Sequence, residues 1–142
     1  MKKILLCTSF TLIASVATNG FAESDIPNLV GKWVGEKEFA KILKAESPGE
    51  KSHTPHQEFG KIAIDCQFTT QQGRLLKGTK TSENWSEKLV CAIDYDNQGL
   101  HCTDENGVFD GQIVGKDEIV MHYHHVARDN AVVSIMKLNR KK

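Results

Sequence analysis

The stretch IAIDCQF, residues 62–68, decides the fold class. Successive side chains of a β-strand point to opposite faces, so the even-numbered residues Ile, Ile, Cys and Phe form one apolar face. The odd-numbered residues Ala, Asp and Gln lie on the other. The same alternation returns in IVMHYH, residues 119–124, where Ile, Met and Tyr share one face. This pattern predicts strands that are buried on one side only.

Short apolar alternations of this kind follow one another from Asn28 onward, separated by turn residues about every 8–12 residues. Turn sequences such as Gln71-Gln72-Gly73 and Asn106-Gly107 contain residues that tolerate positive φ or bond their own backbone. Short turns make neighbours in sequence neighbours in the sheet. We predict strands near residues 29–42, 59–70, 74–81, 87–95, 98–103, 108–114, 118–126 and 131–139.

Closing these eight strands into a barrel removes the exposed edges that an open sheet would leave. The predicted fold is therefore all-β, an eight-stranded antiparallel up-and-down β-barrel. About eight strands enclose a space that side chains either fill or share with one small ligand. The first strand is the least regular, because residues 39–45 have helix-forming composition and could end it in a helical turn. A polar loop with two prolines, residues 46–57, follows.

The first 22 residues have the pattern of a cleavable signal peptide of bacterial type. Lys2 and Lys3 precede an apolar run over residues 4–17, and Gly20 and Ala22 supply the small residues needed at the −3 and −1 positions. We expect cleavage before residue 23, leaving residues 23–142 as one β-barrel domain in the periplasm or outside the cell. The apolar run is shorter than the roughly 20 residues that span a bilayer, so no membrane anchor is expected.

The charge of the chain gives no indication of a nucleic-acid or membrane partner. Removing Lys2 and Lys3 from the 18 basic residues leaves 16 against 18 acidic residues, a net charge of about −2 with histidine neutral. Such a balance implies neither nucleic acid nor an anionic membrane as partner. A mature length of about 120 residues suits a single domain with one core.

The motif Gly31-Lys32-Trp33, at the start of the first strand, resembles the Gly-x-Trp opening of lipocalin-like and avidin-like (calycin-type) barrels. Arg140, directly after the last strand, matches the basic residue that in such barrels packs over the Trp and closes one end, an arrangement that cation–π attraction favours. The hairpin stretches at residues 72–78 and 104–111 are similar to small exported barrels of unassigned function. The biotin site of the avidin family has no match here, and Trp85 lies in a polar connection, so biotin binding is not expected.

Three cysteines follow the predicted cleavage site, which leaves one over if a disulfide forms. If Asp96-Asn97 makes a two-residue turn, counting back pairs Cys91 with Cys102 on the inner face. Their Cα atoms would lie roughly 5.5 Å apart at a hydrogen-bonded pair, within disulfide range. Cys66 would then be a buried thiol. The alternative is three reduced core thiols.

Two histidines of the seventh predicted strand, His122 and His124, form a candidate metal site. Residues two apart on a strand share a face, so His122 and His124 could chelate a divalent metal while His125 points the other way. A third ligand cannot be placed from the sequence. The alternative is that both are surface imidazoles.

Enzyme motifs for hydrolases, metalloproteases and nucleotide-binding proteins are absent from the sequence. Acidic residues cluster around two turns at residues 94–96 and 104–110, where turn chemistry already accounts for them. We therefore predict a non-catalytic protein without a cofactor.

The leading hypothesis is an exported barrel that binds a small, apolar molecule in its interior. The alternative is that the same side chains simply fill the barrel. A second hypothesis is an envelope interaction module or hydrolase inhibitor that uses loop 46–57, since loops on rigid scaffolds often bind partners. Divalent-metal binding through His122 and His124 is the third. The residues predicted to line the interior are Ile64, Phe68, Leu76, Ile93, Leu100, Phe109, Met121 and Tyr123.

Overall fold

The computed structural model describes residues 26–43 and 56–142, and in these ranges the chain forms eight β-strands. The predicted signal peptide and residues 46–55 of the predicted loop lie outside the described residues. The strands, numbered in chain order, are β1 Gly31–Leu43, β2 His56–Gln72, β3 Leu75–Thr81, β4 Ser86–Ile93, β5 Gly99–Thr103, β6 Val108–Gly115, β7 Glu118–Val126 and β8 Asn130–Arg140.

Each strand pairs antiparallel with the next, and β8 returns to pair with β1, so the sheet closes into a barrel in the order β1 to β8. This confirms the predicted up-and-down barrel. Among the described residues, no helix is long and apolar enough to cross a membrane.

The suggestion that residues 39–45 form a helical turn at the end of the first strand is wrong for residues 39–43, which belong to β1. β1 continues as a strand because it pairs on both sides, with Leu43 opposite His56 of β2 and opposite Asn130 of β8. Hydrogen bonding to two neighbours outweighs the weak helix propensity of residues 39–43.

The core follows the alternation read from the sequence. Most of the inward side chains named from the sequence are buried, namely Ile64, Cys66 and Phe68 of β2 and Ile119, Met121 and Tyr123 of β7. Ile62 is only partly buried. The largest fully buried side chains include Trp33, Phe68 and Phe109. Two inward positions carry no side chain, because neighbouring backbone passes too close. A Cβ at Gly35 would lie 1.9 Å from the Lys137 carbonyl oxygen, and one at Gly78 would lie 2.1 Å from that of Gln67. These glycines let the barrel wall coil tightly.

One end of the barrel is closed by Trp33 and Arg140. The Trp33 ring is buried, and its Nε1–H donates to the Leu29 carbonyl oxygen at 2.9 Å. The Arg140 guanidinium carbon lies 4.3 Å from the centre of that ring. Arg140 also donates to the carbonyl oxygens of Val30 at 2.8 Å and Asn28 at 2.7 Å. These contacts fix residues 28–30, the lead-in to β1, across the closed end.

A disulfide joins Cys91 of β4 to Cys102 of β5, as predicted. The two residues are direct cross-strand partners. The connection between the strands is longer than the predicted two-residue turn and runs over residues 94–98, yet the register is the one expected. The Cα atoms lie 4.0 Å apart instead of the expected 5.5 Å. The shorter separation is that of a pair whose backbones do not bond each other.

Removing this disulfide should destabilise the barrel. The bridge spans 11 residues of sequence, and closing a loop of similar size in the unfolded chain is worth about 2–3 kcal/mol. We expect C91A/C102A to lose that amount of unfolding free energy in urea. Dithiothreitol should lower the stability of the wild-type protein and leave the double variant unchanged. Equal stability of oxidised and reduced wild-type protein would contradict this expectation.

Cys66 is the remaining cysteine of the described residues, and it is buried and not disulfide-bonded. Burial raises the pKa of its thiol to about 12. A thiol held protonated in this way is a poor nucleophile, so Cys66 acts as a small apolar core residue.

Candidate ligand-binding site at the open end of the barrel

The end of the barrel opposite Trp33 contains a cavity of about 530 Å³. β1 ends here at Leu43, and the connections at residues 82–85, 104–107 and 127–129 surround it. Cavities of roughly 300–1,000 Å³ hold small ligands in other proteins. We call it the open-end cavity. Its lining residues are Lys37, Phe39, Lys41, Ile62, Lys80, Trp85, Glu87, Asn106, Tyr123, His125, Ala127, Asp129, Asn130 and Val132.

The cavity floor contains a buried ionic network centred on Lys80. Lys80 is 2% exposed and bonds both Asp104, whose side chain is fully buried, and Glu87, whose carboxylate lies 3.0 Å from the Lys80 Nζ. Strand register brings these groups together, since Lys80 and Glu87 are direct cross-strand partners on β3 and β4. A buried ammonium is tolerated when carboxylates pair with it in this way.

Asp104 is held by its own turn as well as by Lys80. Its Oδ1 accepts from the backbone N–H groups of Asn106 at 2.9 Å and Gly107 at 2.8 Å. Burial alone would raise the pKa of Asp104. The hydrogen bonds from Lys80, Asn106 and Gly107 outweigh burial, so the pKa lies below its usual range and the group is a carboxylate.

Lys37 is the second buried lysine, and its surroundings differ from those of Lys80. It is 8% exposed and lines the cavity from β1. It makes no hydrogen bond or ion pair to another residue within 26–43 or 56–142. Burial, followed by the nearby charge of Lys80, lowers its pKa, although Glu87 and Asp104 act in the opposite direction.

Aromatic rings flank both amines. The Lys37 Nζ lies 4.7 Å from the ring centre of Tyr123 and 5.9 Å from that of Trp85. The Lys80 Nζ lies 4.7 Å and 4.9 Å from the same two rings. Burial, with Asp104 and Glu87 nearby, raises the pKa of Tyr123, so its hydroxyl is neutral at physiological pH. The arrangement offers a ligand both aromatic faces and N–H donors.

Of the eight residues predicted to line the interior, Tyr123 lines the open-end cavity. The other seven are packed into the core, each no more than 4% exposed, and none of them lines this cavity. These buried side chains fill the barrel beneath the cavity, so the accessible space lies at the opening. The cavity is consequently more polar than the sequence suggested.

His122 and His124 both face outward on β7, as the alternation predicts. Within the described part of the chain, no group of three or more His, Cys, Asp or Glu residues is placed to hold a metal ion. On the same outer surface, His101 lies 3.0 Å from a carboxylate oxygen of Asp110 and 3.6 Å from one of Asp94. The hydrogen bond to Asp110 raises the pKa of His101. These acids are engaged in surface ion pairs.

The sequence reasoning missed Lys37, Lys80, Glu87 and Trp85 as site residues. A signal for the two lysines was present. Lys37 is two residues beyond Gly35 and four beyond Trp33, and Lys80 is four beyond Leu76, so both occupy inward positions of their strands. A lysine in an inward register indicates a buried charge and, with it, a specialised environment.

Comparisons with known proteins add little to this picture. No protein-family model and no curated protein matches the sequence. Among solved structures, a redesigned β-barrel matches with a TM-score of 0.43 and 12% sequence identity, over 85% of this chain and 96% of that one. The resemblance to lipocalin-like and avidin-like barrels stays a prediction.

Proposed function

We propose that this protein is an exported, non-catalytic binding protein that takes a small molecule into the open-end cavity. The observation that carries the proposal is Lys37, a buried amine that faces the cavity without a hydrogen-bonding or ionic partner among the described residues. An unpaired buried ammonium is costly, and a ligand that bonds it would remove that cost. Export is supported by the Cys91–Cys102 disulfide, which is consistent with an extracellular or periplasmic location.

The chemistry of the cavity favours a ligand with an apolar body and one hydrogen-bond-accepting group. The rings of Trp85 and Tyr123 offer contact to the body, and the N–H donors of Lys37 offer contact to the acceptor. Lys80 is already bonded to Asp104 and Glu87, and Lys41 to Glu58 at 2.7 Å. Lys37 is therefore the lysine best placed to recognise a ligand.

A pair of adjacent substitutions tests the site. Val132 lines the cavity, whereas Val133, the next residue, faces outward and is 49% exposed. We expect the wild-type protein to gain melting temperature with some members of a panel of aromatic and aliphatic carbonyl and carboxylate compounds. V132W should lose that gain because its indole fills the cavity, and V133W should keep it. Binding that survives V132W unchanged would place the ligand elsewhere.

The interaction-module hypothesis stays a prediction, because residues 46–55 lie outside the described part of the chain. Exposed apolar side chains do lie on the outer wall near the end of β1 and the start of β2, including Ile42 at 37% exposure and Phe59 at 86%. The cavity favours small-molecule binding more specifically, since it is lined by a buried lysine that has two aromatic rings nearby and no ion pair among the described residues.

A further inference from the structure

We propose that Lys37 captures carbonyl compounds, and aldehydes in particular, by forming an imine inside the open-end cavity. The inference deepens the proposed function and rests on it, since the aldehyde must first enter the cavity. It names the chemical class of the ligand and adds a covalent, reversible step to its binding.

The surroundings of Lys37 are those that make a lysine nucleophilic. An amine gains nucleophilic character when it is desolvated or lies close to another cation. Lys37 has both conditions, because it is 8% exposed and its pKa is lowered by burial and by Lys80. It also lacks an ion pair to the rest of the described chain that would hold it as an ammonium.

The other lysines that line the cavity lack these conditions. Lys80 is held between the carboxylates of Asp104 and Glu87, which occupy two of its three N–H donors. Lys41 pairs with Glu58 at 2.7 Å and is more exposed to solvent, at 31%. The cavity thus contains one lysine suited to attack a carbonyl carbon and two that are engaged elsewhere.

The reaction is balanced without an added reagent. The lone pair of the neutral Lys37 Nζ attacks the carbonyl carbon, and a carbinolamine forms. The carbon–oxygen bond then breaks, and the oxygen leaves as water with the two hydrogens that the nitrogen gives up. A carbon–nitrogen double bond replaces the carbonyl, and nothing is oxidised or reduced. Lys37 is 8% exposed and lies beside the rings of Trp85 and Tyr123, and this burial limits hydrolysis of the imine by bulk water.

The test is reductive trapping with benzaldehyde and cyanoborohydride on the full chain, followed by peptide mapping. We expect most of the benzyl label on Lys37 of the wild-type protein. K37R keeps the charge but cannot form an imine, so it should lose that label, and K41R should keep it. Because the wild-type map alone identifies the labelled lysine, the result does not depend on whether K37R folds.

Binding of benzyl alcohol, followed by Trp85 fluorescence in W33F, separates the two proposals. Saturable alcohol binding together with label spread over exposed lysines, without preference for Lys37, overturns imine capture and leaves small-molecule binding intact. If the alcohol does not bind and Lys37 is not labelled, imine capture is overturned and the proposed function loses support for this ligand class. Label concentrated on Lys37 and blocked by excess benzyl alcohol supports both.

Discussion

Replacing Lys80 with Met is expected to lower the free energy of unfolding by about 3–5 kcal/mol, because it leaves buried carboxylates without their cation. Asp104 has a fully buried side chain, and Glu87 is 22% exposed. Methionine matches the length of lysine but supplies no charge. The cost therefore reflects the uncompensated charge on Asp104 more than lost packing.

Urea denaturation of K80M and of the control K77M checks this expectation. Lys77 lies on the same strand and is exposed, so K77M should change stability by less than about 0.5 kcal/mol. Adding D104N to K80M removes the uncompensated negative charge of Asp104 and should recover part of the lost free energy of unfolding. A K80M protein as stable as K77M would mean that the buried network contributes nothing.

The stability difference between the wild-type protein and K80M should decrease as the pH falls. Lys80 and the backbone N–H groups hold the pKa of Asp104 below its unfolded value, against the effect of burial. A depressed carboxyl pKa contributes stability above the unfolded pKa and loses it as the pH falls through the folded one. The gap between wild type and K80M should therefore be widest near neutral pH and narrow below about pH 4.

Replacing Trp33 with Ala is expected to cost about 3–5 kcal/mol, the range for removing a large buried aromatic side chain. The variant loses the hydrogen bond to Leu29 and the ring surface on which Arg140 stacks. Both contacts hold the lead-in to β1 across the closed end.

The matched control makes the same change at the other tryptophan, since the chain has two. Trp85 is partly exposed and packs at the edge of the core, so W85A should cost markedly less than W33A. W33F keeps an aromatic ring and should lie between W33A and the wild type. A W33A protein that unfolds at the wild-type urea concentration would show that this end of the barrel is not closed by Trp33.

Much of the fold could be predicted because alternation and turn chemistry agree along the chain. The strand count and the pairing of Cys91 with Cys102 followed from them, even though the connection at residues 94–98 is longer than a two-residue turn. The end of β1 could not be predicted from composition. Pairing with two neighbouring strands decides the conformation of residues 39–43, and such long-range contacts leave no local signal.

The candidate site was harder to predict than the fold. The eight residues predicted to line the interior are all buried there, but seven of them pack into the core and only Tyr123 lines the open-end cavity. Lys37 and Lys80 occupy inward positions that the alternation could have revealed. Their different roles could not be read from the sequence, because they depend on which carboxylates the barrel closure brings to each amine.

The most direct test of small-molecule binding at the open end is an NMR titration that follows the two tryptophan indole N–H signals. They report on opposite ends of the barrel, with Trp33 at the closed end and Trp85 at the cavity. Addition of a ligand from the carbonyl and carboxylate panel should shift the Trp85 signal saturably and leave the Trp33 signal in place. A Trp85 signal that stays fixed across the panel, or a saturable shift at Trp33 alone, would contradict binding in the open-end cavity.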